Sequence, residues 1–460
     1  MKSEPNASGK FGRAIVMGAS VAGLWTARAL IDHFEEVQVL ERDHLPEGAE
    51  FRSGTPQARQ FHTLLQSGLL QMREWFPGLE QELIAAGAVP YDIIGDVHLQ
   101  VRHRWYPRFT SGWVLLSCSR LLLESGIRRR LRQNPCIRFV EGVELVGLET
   151  DEARQRVTGV RIRNRRSGSA QAEGDPVYTA DLVVDALGRR SPTPEWLVDM
   201  GYSAPKESEV NSFLGYATRK YKRKPDIPML LIGATPPHDP YAGLVFPEEN
   251  DTMVAMIGGY NKNYPPTDPA AFDEFMGNLG PEVQEALKGA EPVSQPYGYR
   301  GTSSRWRHYE QLGRWPERFV VLGDAFCGFN PIYGQGMSVA AMSAVALAER
   351  LRRSHGNLDG VARSTLRDIG KITDAIWLLA TSADLEWPGT EGGTVGHGLA
   401  DRFGRWYIGE ILAAMEFDRT VRLEFLAVNQ LIRPGKALFA PGVFLRVMRQ
   451  AILKKRRRNV

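Results

Sequence analysis

A carboxylate, a proline and a glycine that could hold a ligand lie within one short run of the chain. The run is Val320-Val-Leu-Gly-Asp-Ala-Phe-Cys-Gly-Phe-Asn-Pro-Ile-Tyr-Gly-Gln-Gly-Met337. Asp324 follows an apolar strand, Pro331 and Gly334 form a bend, and a helix should begin near Gly336. Because the first N–H groups of a helix have no partner within it, they bind anions or carbonyl oxygens. We therefore predict a ligand site in which Asp324 bonds sugar or ribityl hydroxyls.

A second glycine-rich element lies about 300 residues earlier, at Gly18-Ala-Ser-Val-Ala-Gly23. It joins the apolar strand Arg13–Met17 to a helical run that ends near His33, and a second strand ends on Glu41. Strand, loop, helix, strand and terminal acid in this order indicate a Rossmann unit, whose loop holds a pyrophosphate and whose acid bonds a ribose. Ser20 replaces the middle glycine. With a second element to hold the other half of the cofactor, the ligand is predicted to be FAD rather than NAD.

These elements resemble the cofactor motifs of the FAD-dependent single-component monooxygenases, the para-hydroxybenzoate hydroxylase-like group. A third motif of that group is matched by Asp181-Leu-Val-Val-Asp-Ala-Leu-Gly-Arg-Arg-Ser191. The runs Gly54–His62, Asp185–Gly188 and Asn330–Met337 are most similar to the bacterial branch that includes polyether epoxidases and, more distantly, squalene epoxidase. The resemblance covers most of the chain.

One position departs from the family pattern. The third motif usually reads Gly-Ala-Asp-Gly, and Leu187 stands where the Asp is expected. In the family that Asp is associated with flavin and nicotinamide handling. The electron donor is therefore left open between NAD(P)H and reduced flavin, the latter supplied by a flavin reductase.

The resemblance and the strand pattern together predict an α/β fold. It would consist of a Rossmann-type FAD-binding domain with an inserted mixed β-sheet substrate domain and a C-terminal helical region with a basic tail. The predicted FAD-binding segments are 11–91, 117–206 and 300–355, the substrate-domain segments are 92–116 and 207–299, and the helical region is 356–460.

The predicted site residues divide into cofactor contacts and candidate catalytic groups. By resemblance, Arg120 lies beside the flavin at the start of a helix. The predicted cofactor contacts are Gly18, Ser20, Gly23, Glu41, Arg42, Arg120, Asp324, Pro331, Gly334, Gln335, Gly336 and Met337. Arg59 and His62 are the catalytic candidates, on a helix predicted from Gln57 to Trp75. The alternative for His62 is that it packs within that helix.

The resemblance implies that reduced flavin and O2 form a C4a-hydroperoxide, which transfers one oxygen atom to an electron-rich carbon of a small lipophilic substrate. A phenol hydroxylase also needs a base or proton relay, whereas an alkene epoxidase does not. The sequence displays no compelling His, Asp or Glu constellation for such a relay, which favours epoxidation of a polyketide or terpenoid alkene over hydroxylation.

Three other functions are considered. A flavin-dependent halogenase shares the fold, but the Trp-x-Trp-x-Ile-Pro signature is absent from the sequence. A prenyl-chain reductase would use reduced FAD without oxygen. A non-catalytic FAD-binding or membrane-scaffold protein would consume no oxygen.

Composition and cysteine usage suit a cytoplasmic enzyme. The 460 residues are 43% hydrophobic, enough for a large core. Cys118, Cys136 and Cys327 are isolated, which indicates neither a disulfide framework nor a metal site. Cys327 lies near the proposed flavin element, where a covalent flavin link and simple packing are the alternatives.

The positive charge is concentrated at one end of the chain. Of 57 basic residues, set against 53 acidic ones, five form the run Lys454–Arg458. This tail follows apolar residues at helical spacing and could hold an anionic membrane surface from the cytoplasmic side. The alternative is a terminal helix packed on the core with a solvated tail. Charge confined to one end argues against a nucleic-acid partner.

Overall fold

The computed structural model describes residues 9–164, 176–393 and 398–458. The described residues form 21 strands and 12 α-helices. The strands are β1 (Phe11–Met17), β2 (Phe34–Glu41), β3 (Val89–Asp92), β4 (Val97–Val101), β5 (Arg104–Trp105), β6 (Val114–Ser117), β7 (Ile137–Glu141), β8 (Val143–Thr150), β9 (Val157–Asn164), β10 (Val177–Thr179), β11 (Leu182–Asp185), β12 (Glu207–Asn211), β13 (Gly215–Lys222), β14 (Met229–Ile232), β15 (Tyr241–Glu248), β16 (Thr252–Gly259), β17 (Tyr297–Tyr299), β18 (Ser304–Arg307), β19 (Phe319–Val321), β20 (Cys327–Gly328) and β21 (Glu391–Gly392).

The helices alternate with the strands in the first half of the chain and dominate its end. They are α1 (Val21–Leu30), α2 (Gln66–Trp75), α3 (Leu79–Ala85), α4 (Arg120–Arg132), α5 (Thr193–Asp199), α6 (Pro269–Gly277), α7 (Pro281–Leu287), α8 (Gly336–Arg353), α9 (Val361–Asp384), α10 (Leu399–Ala414), α11 (Arg419–Asn429) and α12 (Pro441–Arg458).

A parallel five-stranded sheet forms the centre of the first domain. Its strand order is β19-β11-β1-β2-β7, and every neighbouring pair runs parallel. Its central strands are continuous apolar runs because a parallel sheet is covered on both faces; Ile15, Val16, Val183 and Val320 are fully buried. The carboxyl ends of β1, β2, β11 and β19 therefore lie along one edge.

A seven-stranded sheet forms the second layer, in the order β17-β13-β16-β15-β14-β4-β5. All of its pairs are antiparallel except β14 with β4. Buried and exposed residues alternate less along its strands than in a sheet with one face in solvent. The reason is that α6 and α7 cover one face with Phe272, Met276 and Val283. Together the two sheets confirm the predicted α/β class, with a parallel dinucleotide-type sheet and a mixed sheet.

The C-terminal helices α10, α11 and α12 pack around a separate apolar cluster. Tyr407, Ile411, Val421 and Val447 are fully buried in it. Helix α12 is thus anchored on its neighbours, while the side chains of the basic tail, Lys454–Arg458, lie outside the described part of the structure. Within the described ranges, no helix is both long and apolar enough to cross a membrane.

The helix predicted over Gln57–Trp75 is wrong in its first half. A short 3-10 turn covers Pro56–Arg59, an extended segment follows, and α2 begins only at Gln66. The extended segment is held from outside: Gln60 donates to the carbonyl oxygen of Tyr297 (3.0 Å) and accepts from the Thr218 hydroxyl (2.6 Å). These side-chain bonds fix the extended segment on the seven-stranded sheet.

Candidate functional site

A cavity of about 1260 Å³ lies between the parallel sheet and the seven-stranded sheet. Gly18, Glu41, Ala186 and Asp324, which end or follow β1, β2, β11 and β19, all line it. Ligands of open parallel sheets bind at this carboxyl edge. The volume exceeds the roughly 300–1,000 Å³ of most small-molecule sites, so there is room for a cofactor and a substrate together.

The loop between β1 and α1 approaches the cavity through its backbone. Gly18 has a φ of +99°, and a Cβ at Gly23 would lie 1.8 Å from the carbonyl oxygen of Gly18. A side chain at Gly23 would therefore displace the loop. Ser20, Val21 and Ala22 line the cavity at the start of α1, where the unpaired N–H groups and the helix dipole favour a phosphate.

A second helix start faces the same cavity. Gly334 has a left-handed φ of +66°, and Gly336 and Met337 line the cavity where α8 begins. Asp324 is 42% exposed at its side chain and lies 3.6 Å from the Arg189 guanidinium. Arg189 is itself fixed by donating to the carbonyl oxygen of Ser303 (2.6 Å). Asp324 is thus oriented yet open to a ligand hydroxyl.

Glu41 belongs to a buried network of charges that sequence reasoning missed. Its carboxylate accepts from the backbone N–H groups of Ala19 (2.9 Å) and Asp43 (3.1 Å). The buried Arg52 guanidinium lies 3.2 Å from Glu41, 3.2 Å from Asp43 and 3.0 Å from Glu124. One cation therefore lies among three carboxylates, and the contact between Arg52 and Glu124, 72 residues apart, is one that no local motif could reveal. We call Gly18, Glu41 and Arg52, with the groups that contact them, the cofactor end of the cavity.

Arg120 connects this network to His62. It donates to the hydroxyl of Ser20 (2.6 Å) and lies 3.4 Å from Glu124. Its other nitrogen lies 3.5 Å from Nε2 of His62, whose Nδ1 lies 2.9 Å from the carbonyl oxygen of Gln60. Since a guanidinium only donates, His62 accepts at Nε2 and donates at Nδ1. Burial, together with the Arg120 charge, lowers the pKa of His62 to about 3. His62 is therefore a neutral, oriented group near pH 7.

The structure brings most of the predicted site residues to the cavity. Those that line it are Gly18, Ser20, Glu41, Arg42, His62, Arg120, Asp324, Pro331, Gly334, Gly336 and Met337. Gly23 and Gln335 are not among the lining residues: Gly23 packs closely on the carbonyl oxygen of Gly18, and Gln335 is buried directly before α8.

Arg59 is not brought to the cavity. Its guanidinium lies between two aromatic rings, 4.0 Å from the centroid of Phe51 and 4.2 Å from that of Tyr297. The 3-10 turn, in place of the predicted helix, directs it there. Such stacking is a stabilising cation–π arrangement, and it leaves Arg59 without a contact through which to act on a ligand of the cavity.

The departure at Leu187 has a structural counterpart. Leu187 lines the cavity, and the acid of its motif, Asp185, is fully buried behind it. Asp185 accepts from the hydroxyls of Ser191 and Thr193 and from the backbone N–H of Leu187 (2.8 Å). Its carboxylate therefore holds the turn after β11 in shape, and it is fully buried and does not line the cavity.

The opposite end of the cavity is apolar and rich in tyrosine. Tyr216, Phe246 and Tyr260 line it. The ring of Tyr260 stacks on Trp387 with centroids 4.5 Å apart. Further apolar lining comes from Leu244, Met256, Leu412, Met415 and Phe425. We call the part formed by Tyr260, Tyr333 and the neighbouring Asp384 the tyrosine end.

The three cysteines do not contribute to the cavity lining. Cys118 and Cys327 are buried, Cys136 is half-buried, and none is in a disulfide. Burial raises the pKa of all three thiols. For Cys327 this environment favours packing over a covalent link to flavin.

The arrangement fits FAD. Two helix starts, at α1 and α8, line one cavity, where one could hold a pyrophosphate and the other a ring system. Glu41 can accept from a ribose, and the half-exposed Asp324 can accept from ribityl hydroxyls. Glycine at position 23 leaves the space that the loop needs for this approach.

Solved structures with a similar fold include flavin-dependent enzymes. The flavin-dependent brominase Bmp2 has a TM-score of 0.63 at 15% identity and covers 97% of this chain and 99% of its own. PqsL, a probable FAD-dependent monooxygenase from Pseudomonas aeruginosa, has a TM-score of 0.58 at 16% identity and covers 81% and 97%. A mutant of 2-methyl-3-hydroxypyridine-5-carboxylic acid oxygenase has a TM-score of 0.58 at 18% identity, covering 81% and 91%. At these identities the likeness establishes the fold.

At the level of sequence, no model of a known protein family matches the chain. A relative does: Protein Rv3254 of Mycobacterium tuberculosis is 32% identical over 437 residues, which span 90% of this chain and 88% of that protein. Similarity of this extent over nearly the whole length shows that the chain belongs to the same family as Protein Rv3254.

Proposed function

We propose that the protein is an FAD-dependent monooxygenase that adds one oxygen atom from O2 to a small lipophilic substrate. The observation that carries the proposal is the single cavity that joins a dinucleotide-type strand edge to an apolar chamber under the seven-stranded sheet. Solved structures of this fold include one described as a probable FAD-dependent monooxygenase and one described as an oxygenase, which supports the same chemistry.

One group of residues would hold the cofactor, and another would surround the substrate. The α1 and α8 helix starts, Glu41 and Asp324 would hold FAD, which when bound and reduced supplies the electrons that activate O2. The apolar walls exclude water from the reacting atoms and orient the substrate. Arg120 and His62 contribute a fixed positive charge and a neutral imidazole near the cofactor end.

Two oxygenation reactions suit the chamber. Epoxidation of a polyketide or terpenoid alkene is supported by its apolar walls, contributed by Leu244, Phe246 and Met256. Hydroxylation is favoured by a different observation: Asp384, which sequence analysis did not single out, is buried directly behind two tyrosines of the cavity. Asp384 is an acid–base group of the kind that a phenol hydroxylase needs. The sequence analysis had favoured an alkene substrate because the sequence displays no compelling group of this kind.

Electrons would come from NAD(P)H or from reduced flavin released by a separate flavin reductase. Asp185 is fully buried within its own turn and does not line the cavity. We therefore favour a donor that needs no dedicated acid at this motif. The C-terminal basic tail would hold the protein at an anionic, cytoplasmic membrane surface from which a lipophilic substrate is taken.

The test begins with the purified protein and its visible spectrum. Bound FAD should be reduced anaerobically by NADPH, NADH or free reduced flavin, and admission of labelled O2 with a substrate panel should give products that carry one labelled oxygen atom. Products that require halide would establish a halogenase, which Bmp2 makes a relevant alternative. Substrate reduction without O2 would establish a prenyl-chain reductase, and flavin that is bound but never reduced would indicate a non-enzymatic protein.

A further inference from the structure

Helix α10 is apolar on both its inner and its outer face. On the inner face, Tyr407 and Ile411 are fully buried in the C-terminal cluster. On the outer face, Leu399 is 85%, Phe403 44% and Trp406 42% exposed. These three residues follow each other at spacings of four and three, so they form one stripe along the helix. A surface helix normally carries charged and polar residues on the side that faces water, and the outer stripe of α10 departs from that pattern.

The exposed aromatic rings of this region form one group around Tyr407. The ring centroid of Phe403 lies 5.5 Å from that of Trp406 and 5.9 Å from that of Tyr407. Phe439, which is exposed at the end of a 3-10 turn before α12, has its centroid 4.9 Å from Tyr407. Single exposed apolar residues need no explanation, whereas a contiguous group marks a site of interaction. We call Leu399, Phe403, Trp406 and Phe439 the docking surface.

The charge of the same segment suits an anionic partner. Of the 57 basic and 53 acidic residues of the chain, 13 and 5 lie between Leu399 and Val460. This segment therefore has a net charge of +8, while the rest of the chain has one of −4. Arg402 and Lys436 are exposed next to the docking surface. Basic side chains beside exposed aromatic and aliphatic ones are typical of helices that lie in the interface of an anionic lipid bilayer.

The helices that carry this surface also form part of the cavity wall. Leu412 and Met415 of α10 and Phe425 of α11 line the cavity. Trp406 and Leu412 are six residues apart, which is about 9 Å along a helix. A lipophilic molecule that leaves a bilayer at the docking surface would therefore reach the cavity over a short distance.

We propose that the docking surface inserts into the boundary between headgroups and acyl chains of an anionic lipid bilayer. Helix α10 would then lie along the membrane, and the substrate would pass from the lipid to the cavity beside it. The basic tail adds electrostatic attraction, whereas the docking surface enters the lipid. The inference rests on the proposed function for the lipophilic substrate alone, because docking itself requires no reaction. A second copy of this chain suits the surface less well, since two segments of charge +8 would face each other.

The experiment measures how the full-length protein partitions onto lipid vesicles. The protein is sedimented with vesicles of equal parts phosphatidylcholine and phosphatidylglycerol, and vesicles of phosphatidylcholine alone serve as the comparison. Partition onto the anionic vesicles should be at least about 10-fold stronger. Phe403→Ser and Trp406→Ser should each weaken it about 10-fold, because each removes an apolar side chain that would be buried in lipid.

Fluorescence tests directly whether Trp406 enters the lipid. Phospholipids brominated on their acyl chains quench a tryptophan that they contact. Because the chain has ten tryptophans, the emission of Trp406 is obtained as the difference between the wild type and Trp406→Phe. Brominated vesicles should quench this difference, and Trp406→Phe should still bind because its new side chain is also apolar. A difference that bromination leaves unchanged would overturn insertion.

Two further variants separate docking from an effect on folding. Leu399 is almost fully exposed, so Leu399→Ser should weaken partition without disturbing the core, even if Phe403→Ser unfolds the helix. The matched control is Val198→Ser. Val198 is 53% exposed on α5, whose Leu197 packs in the large core cluster rather than in the cluster beneath the docking surface. This control should bind vesicles like the wild type, and urea unfolding would establish that each variant is folded.

A chain shortened after Leu453 separates the docking surface from the basic tail. It should bind more weakly than the full chain, and Phe403→Ser should weaken its binding further. If removal of the tail abolished binding and the serine variants of the full chain bound normally, the docking surface would have no role.

The remaining outcomes concern a second copy and the reaction. A dimer in analytical ultracentrifugation that Phe403→Ser converts to a monomer, in a protein that binds no vesicles, would assign the surface to self-association and overturn the proposal. Vesicle binding lost in the serine variants supports docking even if the protein transfers no oxygen, in which case the proposed function alone fails. Oxygen transfer by a protein that binds no vesicles would overturn docking and leave the proposed function intact.

Discussion

Buried carboxylates have charged partners at one end of the cavity and neutral partners at the other. At the cofactor end, Arg52 is within 3.2 Å of Glu41 and Asp43 and 3.0 Å from Glu124, so buried carboxylates share a permanent cation. At the tyrosine end, the hydrogen-bond partners of Asp384 are the neutral Ser212, Asn330 and Tyr333. An arginine keeps its charge at all ordinary pH values. The first end therefore keeps its charges fixed, while the second can gain or lose a proton.

The titratable groups nearest to each end show the same contrast. The pKa of His62 is lowered to about 3 by burial and by the Arg120 charge, so it stays neutral. The pKa of Asp384 is raised by burial to about 6, within reach of neutral pH. A fixed electrostatic frame suits the binding of a charged cofactor. A group near its own pKa suits proton transfer.

The largest effect is expected from removing the shared cation with Arg52→Leu. Glu41 would lose its buried cation, while Glu124 would keep only Arg120 at 3.4 Å and Asp43 only Arg42 at 4.0 Å. Removing one partner of a buried pair typically costs about 3–5 kcal/mol. Urea unfolding at neutral pH measures the change. The matched control is Arg104→Leu, because Arg104 pairs with Glu416 at 2.8 Å on an exposed surface and such pairs contribute about 0–1 kcal/mol. Equal losses in the two variants would contradict the difference in burial.

A smaller effect, at the tyrosine end, should depend on pH. Because the folded-state pKa of Asp384 is raised to about 6, the folded protein binds this proton more tightly than the unfolded chain does. Its stability is then greatest at low pH and is lost as the pH rises from about 4 to above 6. The free energy of unfolding of the wild type, relative to Asp384→Asn, should fall by about 3 kcal/mol over that window. Urea unfolding of both proteins across the window would test this, and a constant difference would contradict the raised pKa.

The third prediction concerns the cofactor alone. Asp324→Ala should weaken FAD binding about 10- to 100-fold through loss of a charged acceptor, with the fold retained. Flavin retained after dialysis, read from visible absorbance, is the measurement. Asp374→Ala, at an exposed residue of α9, should keep the wild-type flavin content. Full flavin occupancy of Asp324→Ala would remove Asp324 from the cofactor site.

The smallest effect at neutral pH is expected for His62→Gln. A neutral side chain that donates and accepts is replaced by another, so the free energy of unfolding should change by less than about 1 kcal/mol. On acidification the wild type should lose stability, because His62 has a pKa of 6.5 in the unfolded chain and of about 3 in the folded protein. Between these values only the unfolded chain binds the proton. At about pH 5 this should amount to about 2 kcal/mol relative to the variant. If the free energies of unfolding of the wild type and of His62→Gln changed with pH in the same way, His62 would become charged in the folded protein at the same pH as in the unfolded chain.

The cofactor end was accessible to sequence reasoning because its residues are local. Gly18 and Gly23 flank one turn, Glu41 ends the next strand, and parallel strands deliver their carboxyl ends to one edge. The α/β class followed from the same pattern. The partners of Glu41 did not, because the contact of Arg52 with Glu124 spans 72 residues of sequence.

The tyrosine end is assembled from residues that no motif joins. Ser212, Tyr260, Asn330 and Asp384 come from four distant segments. They meet where α9 lies against β12 and where Trp387, just after α9, stacks on Tyr260. The wrong helix at Gln57 has the same origin, since Gln60 is bonded to Thr218, 158 residues away. Propensity and periodicity describe a segment by itself, and such long-range bonds override them.

Because the native cysteines are buried, a single reactive cysteine can be introduced into the protein as a chemical probe. Thiolate is the reactive form of cysteine, and burial raises the pKa of the thiols of Cys118, Cys136 and Cys327. Alkylating reagents should therefore modify them slowly without any of the three being replaced. Ser53 is exposed and lines the cavity beside Arg52, and Ser53→Cys changes a single atom. The rate at which that thiol is alkylated would report, on otherwise unaltered protein, whether the cavity beside Arg52 is accessible or is covered by a bound ligand.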